Sequence, residues 1–329
     1  MTARAACAAC ALGLAVVLGG CAGEQSMLAP AGLEARQVFH LSLVLFIGAG
    51  VILAWVLGTL ALALAGPPSV RRAIASREAV LWAGVAVPLV VLTALLVTGL
   101  VMMRERAGAA AHSPRIEVVG EQWWWRVTYV RPDGRRVAGA NEIRIPTGQT
   151  VTFVLDAADV IHAFWIPALG GKRDMIPGRT NILRLRAERD GIYRGQCAEY
   201  CGGAHAFMAL EVIALPPAQF EHWLDAAAAP APAPTTALAR RGAAQFHAAG
   251  CGACHAVAGT PAAGTIGPDL TRVGERRTLG AALGANTPEN LARFIADMPA
   301  YKPGTVMPAF GMLTREELDA LAAYLTVLK

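Results

Sequence analysis

Cys197 and Cys201 are separated by three residues, His205 follows after three more and Met208 after two. Thiolate, imidazole and thioether are donors that copper prefers over hard cations. The paired glycines Gly202 and Gly203 favour a tight loop over a helix, so these side chains can turn toward one centre. A second imidazole stands upstream at His162, in Val-Ile-His-Ala-Phe-Trp-Ile-Pro. Two thiolates, two imidazoles and a thioether exceed the needs of one copper ion and suit a pair of ions with both sulfurs bridging. The ordinary alternative is a disulfide, usual for two cysteines of an exported domain. It leaves His205 and Met208 without a role.

A second constellation is Cys251-Gly-Ala-Cys254-His255, the C-x-x-C-H pattern of haem c attachment. Two thioethers hold the porphyrin and the adjacent imidazole binds iron. A redox dithiol or a zinc site is the competing reading, but no second C-x-x-C or paired His follows to complete a zinc shell. Met/His ligation is usual in electron-transfer cytochromes. Met298, Met307 and Met312 are the candidates, and Met307 is preferred because Pro303, Gly304 and Pro308 bracket it in a stiff, turning loop. Met298 is expected at the end of a helix starting near Pro288, in a packing role. His40, His112, His222 and His247 have no ligand partners nearby in sequence.

These residues need elements to position them. The chain has 329 residues, enough for more than one domain, and its mean hydropathy of +0.43 points to membrane segments. Residues 1–21 read as a secretory leader ending Leu18-Gly19-Gly20-Cys21, with Cys21 a candidate for lipidation and Cys7 and Cys10 inside the leader. A membrane hairpin is expected over 38–104. Its two runs, about 41–66 and 79–103, carry no charged residue and exceed the roughly 20 residues a bilayer requires. Arg71, Arg72 and Arg77 lie between them and place that loop in the cytoplasm. Pro88 is expected to bend the second helix, and Glu78 stands at its start.

After Met103 the apolar runs become short and alternate. Strands are expected at 116–120, 123–130, 143–145, 151–155, 182–185 and 210–215, with Pro132-Asp133-Gly134 as a turn. Together they point to a β-sandwich or barrel over 115–225. Three consecutive indoles, Trp123 to Trp125, would alternate between the two faces of a strand. A short helix is expected over 217–227, with Phe220, Trp223 and Leu224 on one face. The Ala/Pro stretch 226–236 reads as an extended linker able to span roughly 30 Å. An all-α domain is expected over 237–329, closed by a helix with a Thr314–Glu317 capping box and a stripe of Leu318, Leu321, Leu325 and Leu328. The 115–225 region holds thirteen basic and thirteen acidic residues, so nucleic-acid binding has no support.

The Cys197–Met208 loop with His162 and Gln122-Trp123-Trp124-Trp125 resembles subunit II of haem-copper cytochrome c oxidase. The segment Gly267-Pro-Asp-Leu-Thr-Arg-Val-Gly274 and the Met307 loop resemble small class I cytochromes c. Together they cover nearly the whole chain after the leader and resemble subunit II of a caa-type oxidase. The resemblance implies a cupredoxin-like Greek-key sandwich holding a dinuclear copper centre, followed by a class I cytochrome c domain. It implies His162, Cys197, Cys201, His205 and Met208 as copper ligands, with Glu199 giving its backbone carbonyl. It also implies Trp123 as the point of electron input, a magnesium ion at Asp174 and Glu199 facing subunit I, and Glu78 at the mouth of a proton pathway.

Electrons would reach haem c from cytochrome c or another donor, pass to the copper pair and leave for subunit I. There dioxygen is reduced and protons are pumped. Subunits I and III and membrane lipid are the implied partners, in a bacterial inner membrane with both redox domains on the periplasmic side. A copper-containing nitric oxide reductase subunit is the nearest alternative, and a periplasmic copper-delivery protein holding one exchangeable ion is an alternative of another class. A nitrous oxide reductase would not need the hairpin, and a quinol oxidase subunit would lack the copper ligands.

Overall fold

The structure is a computed structural model that describes Gly23, residues 25–107 and residues 113–329. The expectations for the leader, including Cys7, Cys10 and Cys21, and for His112 lie outside the described residues. The chain divides into two compact units, Gln37–Ala111 and the remainder.

In the smaller unit, α1 (Leu33–Ala65, its first turn belonging to the larger unit) is followed by α2 (Pro68–Ile74) and α3 (Arg77–Leu81), then by a π-helical turn at Trp82–Ala86 and α4 (Val87–Ala107). The segments Leu33–Ala65 and Arg77–Met103 are long and apolar enough to cross a membrane. Their large apolar side chains, such as Phe46, Leu64 and Trp82, are exposed, as expected of helices solvated by lipid. Ser76 caps α3 by accepting from Ala79 N, and Glu78 lies in that first turn. The irregularity around Pro88 is the π turn immediately before it. Pro88 has no N–H to offer the preceding turn, and widening the helix there accommodates the loss.

The larger unit opens with two five-stranded sheets. Strands β1 (Arg115–Glu121), β2 (Trp124–Val130), β3 (Arg136–Ala140), β4 (Glu142–Pro146), β5 (Val151–Ala157), β6 (His162–Trp165), β7 (Arg173–Met175), β8 (Asn181–Leu185), β9 (Gly191–Cys197) and β10 (Ala209–Leu215) are arranged as β3-β2-β1-β5-β8 and β4-β10-β9-β6-β7. The alternation in β5 buries Val151, Phe153 and Leu155, which meet Trp125, Phe164 and Ile143 between the sheets. The expected strand 123–130 begins one residue later. Gln122 and Trp123 form the two-residue turn between β1 and β2, so Trp123 does not share the strand's alternation. Strands β3, β6, β7 and β9 escaped the sequence reading because glycine, arginine and short length dilute their alternation.

Helix α5 (Pro217–Ala227) closes the sandwich and includes the first residues of the expected linker. The rest of the linker lies against the helical domain: Ala231 N donates to Ala258 O at 2.9 Å, and Arg272 Nη2 donates to Ala229 O at 3.3 Å. That domain contains α6 (Ala237–Ala248), α7 (Pro288–Ala296), α8 (Met298–Tyr301) and α9 (Arg315–Val327). Helices α6 and α9 cross at Gly242, where a Cβ would stand 1.9 Å from Ala320 O. Thr314 and Glu317 form the capping box, and Leu318, Leu321, Leu325 and Leu328 are buried. Met298 does not end α7. Asp297 breaks that helix and caps α8, which Met298 begins.

Candidate metal centres

Strand β9 delivers Cys197 at its last residue, and β6 delivers His162 at its first. The pairing of Phe164 with Cys197 brings the two strand ends together. From Ala198 the chain loops through Cys201, makes a 3-10 turn at His205–Phe207 and returns to β10. Cys197 N donates to Met208 O at 2.8 Å and closes this loop at its base.

Inside the loop the soft donors converge. The two sulfurs are 3.8 Å apart and both cysteines are free thiols. His162 Nδ1 stands 3.8 Å from Cys197 Sγ, and His205 Nδ1 stands 3.4 Å from Cys201 Sγ. Met208 Sδ is 3.9 Å from Cys201 Sγ, and the Glu199 carbonyl oxygen is 3.2 Å from Cys197 Sγ. His162, Cys197 and Cys201 are buried together. The hydrogen bond with Cys201, opposed by burial and helped by His162, pushes the Cys197 thiol down to about 4, while Cys201 is pushed up. Two sulfurs flanked by one imidazole each fit a pair of copper ions, with the Met208 thioether and the Glu199 carbonyl as further donors.

The surroundings hold these ligands in place. His162 Nε2 lies 2.8 Å from Asp159 Oδ1, which leaves Nδ1 facing the sulfurs. Burial opposes protonation of His162, but Cys197 and Asp159 outweigh it and raise its pKa. Gln122 N donates to Asp159 Oδ2 at 2.7 Å, and Gln122 Nε2 donates to Cys201 O at 2.7 Å. Trp123 Nε1 donates to the same carbonyl at 2.9 Å. The β1–β2 turn therefore ties the first histidine to the second cysteine. A Cβ on Gly202 would lie 2.9 Å from Gln122 Nε2 and 3.1 Å from the Trp123 ring, so the loop passes here only as glycine. Trp125 is a core residue whose Nε1 donates to Ala209 O, and Trp124 lies half-buried under the Arg126 guanidinium.

Asp174 and Glu199 do come together, but around Lys172, whose Nζ is 3.2 Å from Asp174 Oδ1 and 3.0 Å from Glu199 Oε2.

In the helical domain, Cys251, Cys254, His255 and Met307 line a cavity of about 420 Å³, with Leu291, Ile295 and Phe310 among its apolar walls. His255 Nδ1 donates to Pro268 O at 2.8 Å, which leaves Nε2 free for iron. Burial lowers the pKa of His255, which favours the neutral, ligating form. A Cβ on Gly267 would stand 2.5 Å from His255 Cε1, so the Gly267-Pro268 segment holds the ring by direct contact. Met298 also lines the cavity, but its sulfur accepts from Thr305 Oγ1 at 2.9 Å. Met312 is 77% exposed. An apolar cavity with two cysteines on its wall and an oriented imidazole fits a covalently held haem.

Sequence reasoning assigned no role to Asp159, Gln122 or Lys172. Asp159 lies three residues before His162, a spacing that could have suggested a hydrogen-bonding partner. Gln122 acts through a contact with Cys201 on a distant segment, and Lys172 joins its neighbour Asp174 to the distant Glu199.

The profile described as "Cytochrome C oxidase subunit II, periplasmic domain" matches residues 130–215, and that described as "Cytochrome c" matches residues 239–329. The chain is 34% identical to cytochrome c oxidase subunit 2 of Alkalihalophilus pseudofirmus, over 96% of this chain and 95% of that protein. It is 36% identical to cytochrome c oxidase subunit 2 of Bacillus sp. strain PS3, over 65% of this chain and 62% of that one. The periplasmic domain of subunit II of cytochrome oxidase from Bradyrhizobium japonicum is 32% identical, over 36% of this chain and 95% of that structure, with a TM-score of 0.34.

Proposed function

Because this chain belongs to the cytochrome c oxidase subunit II family, we propose that two sets of its residues carry the electron. Cys251, Cys254, His255 and Met307 hold haem c, and His162, Cys197, Glu199, Cys201, His205 and Met208 hold two copper ions. The protein is the electron-transfer subunit of a haem-copper oxidase and passes electrons onward for dioxygen reduction on a partner subunit. When bound, the haem and the copper pair supply reversible one-electron states. The chain's own work is to hold them still. Asp159 orients His162, Pro268 orients His255, and the two-point clasp of Gln122 and Trp123 on Cys201 O limits movement of the copper loop. A rigid ligand set leaves little geometry to rearrange when the charge changes.

Convergence of the sulfur and imidazole donors of the 197–208 loop with His162 of β6 is the observation that carries this reading. Metal analysis of the full-length chain should give two coppers per haem iron, with a mixed-valence spectrum delocalised over both coppers. One exchangeable copper, or a Cys197–Cys201 disulfide in the copper-loaded protein, would overturn it.

Finer assignments rest on the same basis. The two apolar helices form a hairpin in a bacterial inner membrane, with the Arg71–Arg77 loop cytoplasmic and both redox domains periplasmic. Subunits I and III and lipid surround that hairpin, and cytochrome c or another donor reduces haem c. Trp123 receives the electron on its way to copper, Glu78 opens a proton path, and Cys21 carries lipid. Asp174 and Glu199 would be the residues that hold a magnesium ion facing subunit I, and that ion would compete with the Lys172 ammonium now paired with both carboxylates.

A further inference from the structure

The wall of the haem cavity is not built by the helical domain alone. Gln122, Trp123, Trp124 and Asn141 of the sandwich also line it. Lys302 stands at this seam with only 2% of its surface exposed. Its Nζ donates to Trp123 O of the sandwich at 2.6 Å and to Gly280 O of the helical domain at 2.7 Å. A buried amine without such partners would be strongly unfavourable, so the two carbonyls, one from each domain, are what allow it to sit there. Burial pushes its pKa down to about 7, and the neutral amine still has two N–H groups for two carbonyls. Beside it, a Cβ on Gly304 would stand 3.0 Å from the Trp123 ring. Gly304 lies three residues before Met307, and Gly202, on which a Cβ would stand 3.1 Å from the same ring, follows Cys201 directly. The Trp123 ring therefore lies against both the loop that carries Met307 and the loop that carries Cys201.

We propose that Lys302 is a positioning residue that fastens the cytochrome domain to the sandwich, so that Trp123 forms a shared wall between the haem cavity and the copper loop. The cytochrome domain is then a fixed relay and not a tethered shuttle. The contacts of Arg277 with Glu211 and of Trp223 with Glu275 belong to the same seam. The role of Trp123 in electron transfer rests on the function proposed above, whereas the fastening does not.

The two are separated by cutting the linker. A specific protease site inserted between Ala233 and Pro234 of the full chain, in the assembled oxidase, is cleaved and the sample passed over gel filtration. The cytochrome domain of the otherwise unchanged protein should stay with the complex. In Lys302→Met, which keeps the apolar stem and removes the amine, it should elute separately. Uncleaved Lys302→Met should reduce copper from photoreduced haem c at least tenfold more slowly, with both metal-site spectra unchanged. Dissociation of the cleaved domain in the unchanged protein, or retention and an unaltered rate in Lys302→Met, would overturn the proposal. Loss of the copper or haem spectrum before cleavage would count against the proposed function instead.

Discussion

Trp123 Nε1 donates to the carbonyl oxygen of Cys201 at 2.9 Å, so the indole is bonded to the backbone of a copper-loop cysteine. Trp123→Phe removes that donor but leaves Gln122 Nε2 on the same carbonyl. The carbonyl therefore stays satisfied, and the cost to stability should be about 1 kcal/mol. The copper spectrum should persist while reduction of copper by haem c slows. Thermal unfolding and flash reduction measure the two effects separately. Loss of copper binding in this variant would mean that the indole is structural only.

Asp159 is the outer partner of His162. Replacing such a carboxylate typically lowers metal affinity by about 10–100-fold. Asp159→Asn keeps the size but weakens the acceptor facing Nε2, and it should lower copper retention against a chelator within that range. The haem spectrum should not change, since Asp159 does not line the haem cavity. Copper retention equal to that of the unchanged protein would exclude this role.

Met307→Ala should abolish the Met-to-iron absorption band and lower the haem c potential, because a thioether favours ferrous iron. Met298→Leu and Met312→Leu should leave both nearly unchanged, since Met298 is engaged by Thr305 and Met312 faces solvent. Redox titration of the three variants tests the assignment. Survival of the band in Met307→Ala, with loss in either other variant, would move the ligand.

Gly242→Ala places a methyl group 1.9 Å from Ala320 O at the α6–α9 crossing. Alanine is the better helix former by about 1 kcal/mol, but forcing two helices apart costs about 1–3 kcal/mol or more. Net destabilisation of the cytochrome domain is expected, read as a lower melting temperature of the haem signal. A higher one would mean that the crossing yields easily.

The Arg71, Arg72 and Arg77 loop should be shielded in cells with opened outer membranes. A thiol label on a cysteine introduced at Ser69 should not react until the inner membrane is breached. Immediate labelling would reverse the topology.

What the sequence determined by itself was local chemistry. The donor types from Cys197 to Met208, the C-x-x-C-H pattern, the charge-free runs and the Thr314 capping box each lie within one short segment, where spacing alone constrains what the side chains can do. The tertiary structure decided what depends on segments meeting. His162 reaches the copper loop because β6 pairs with β9, thirty-odd residues apart in sequence. Trp123 leaves the strand alternation because it sits in the β1–β2 turn, a register that only the paired strands reveal. Lysine is almost never buried without partners, and nothing near Lys302 in the sequence marks it as an exception. It is buried here because two carbonyls from separate domains converge on its amine, and no local pattern encodes that meeting.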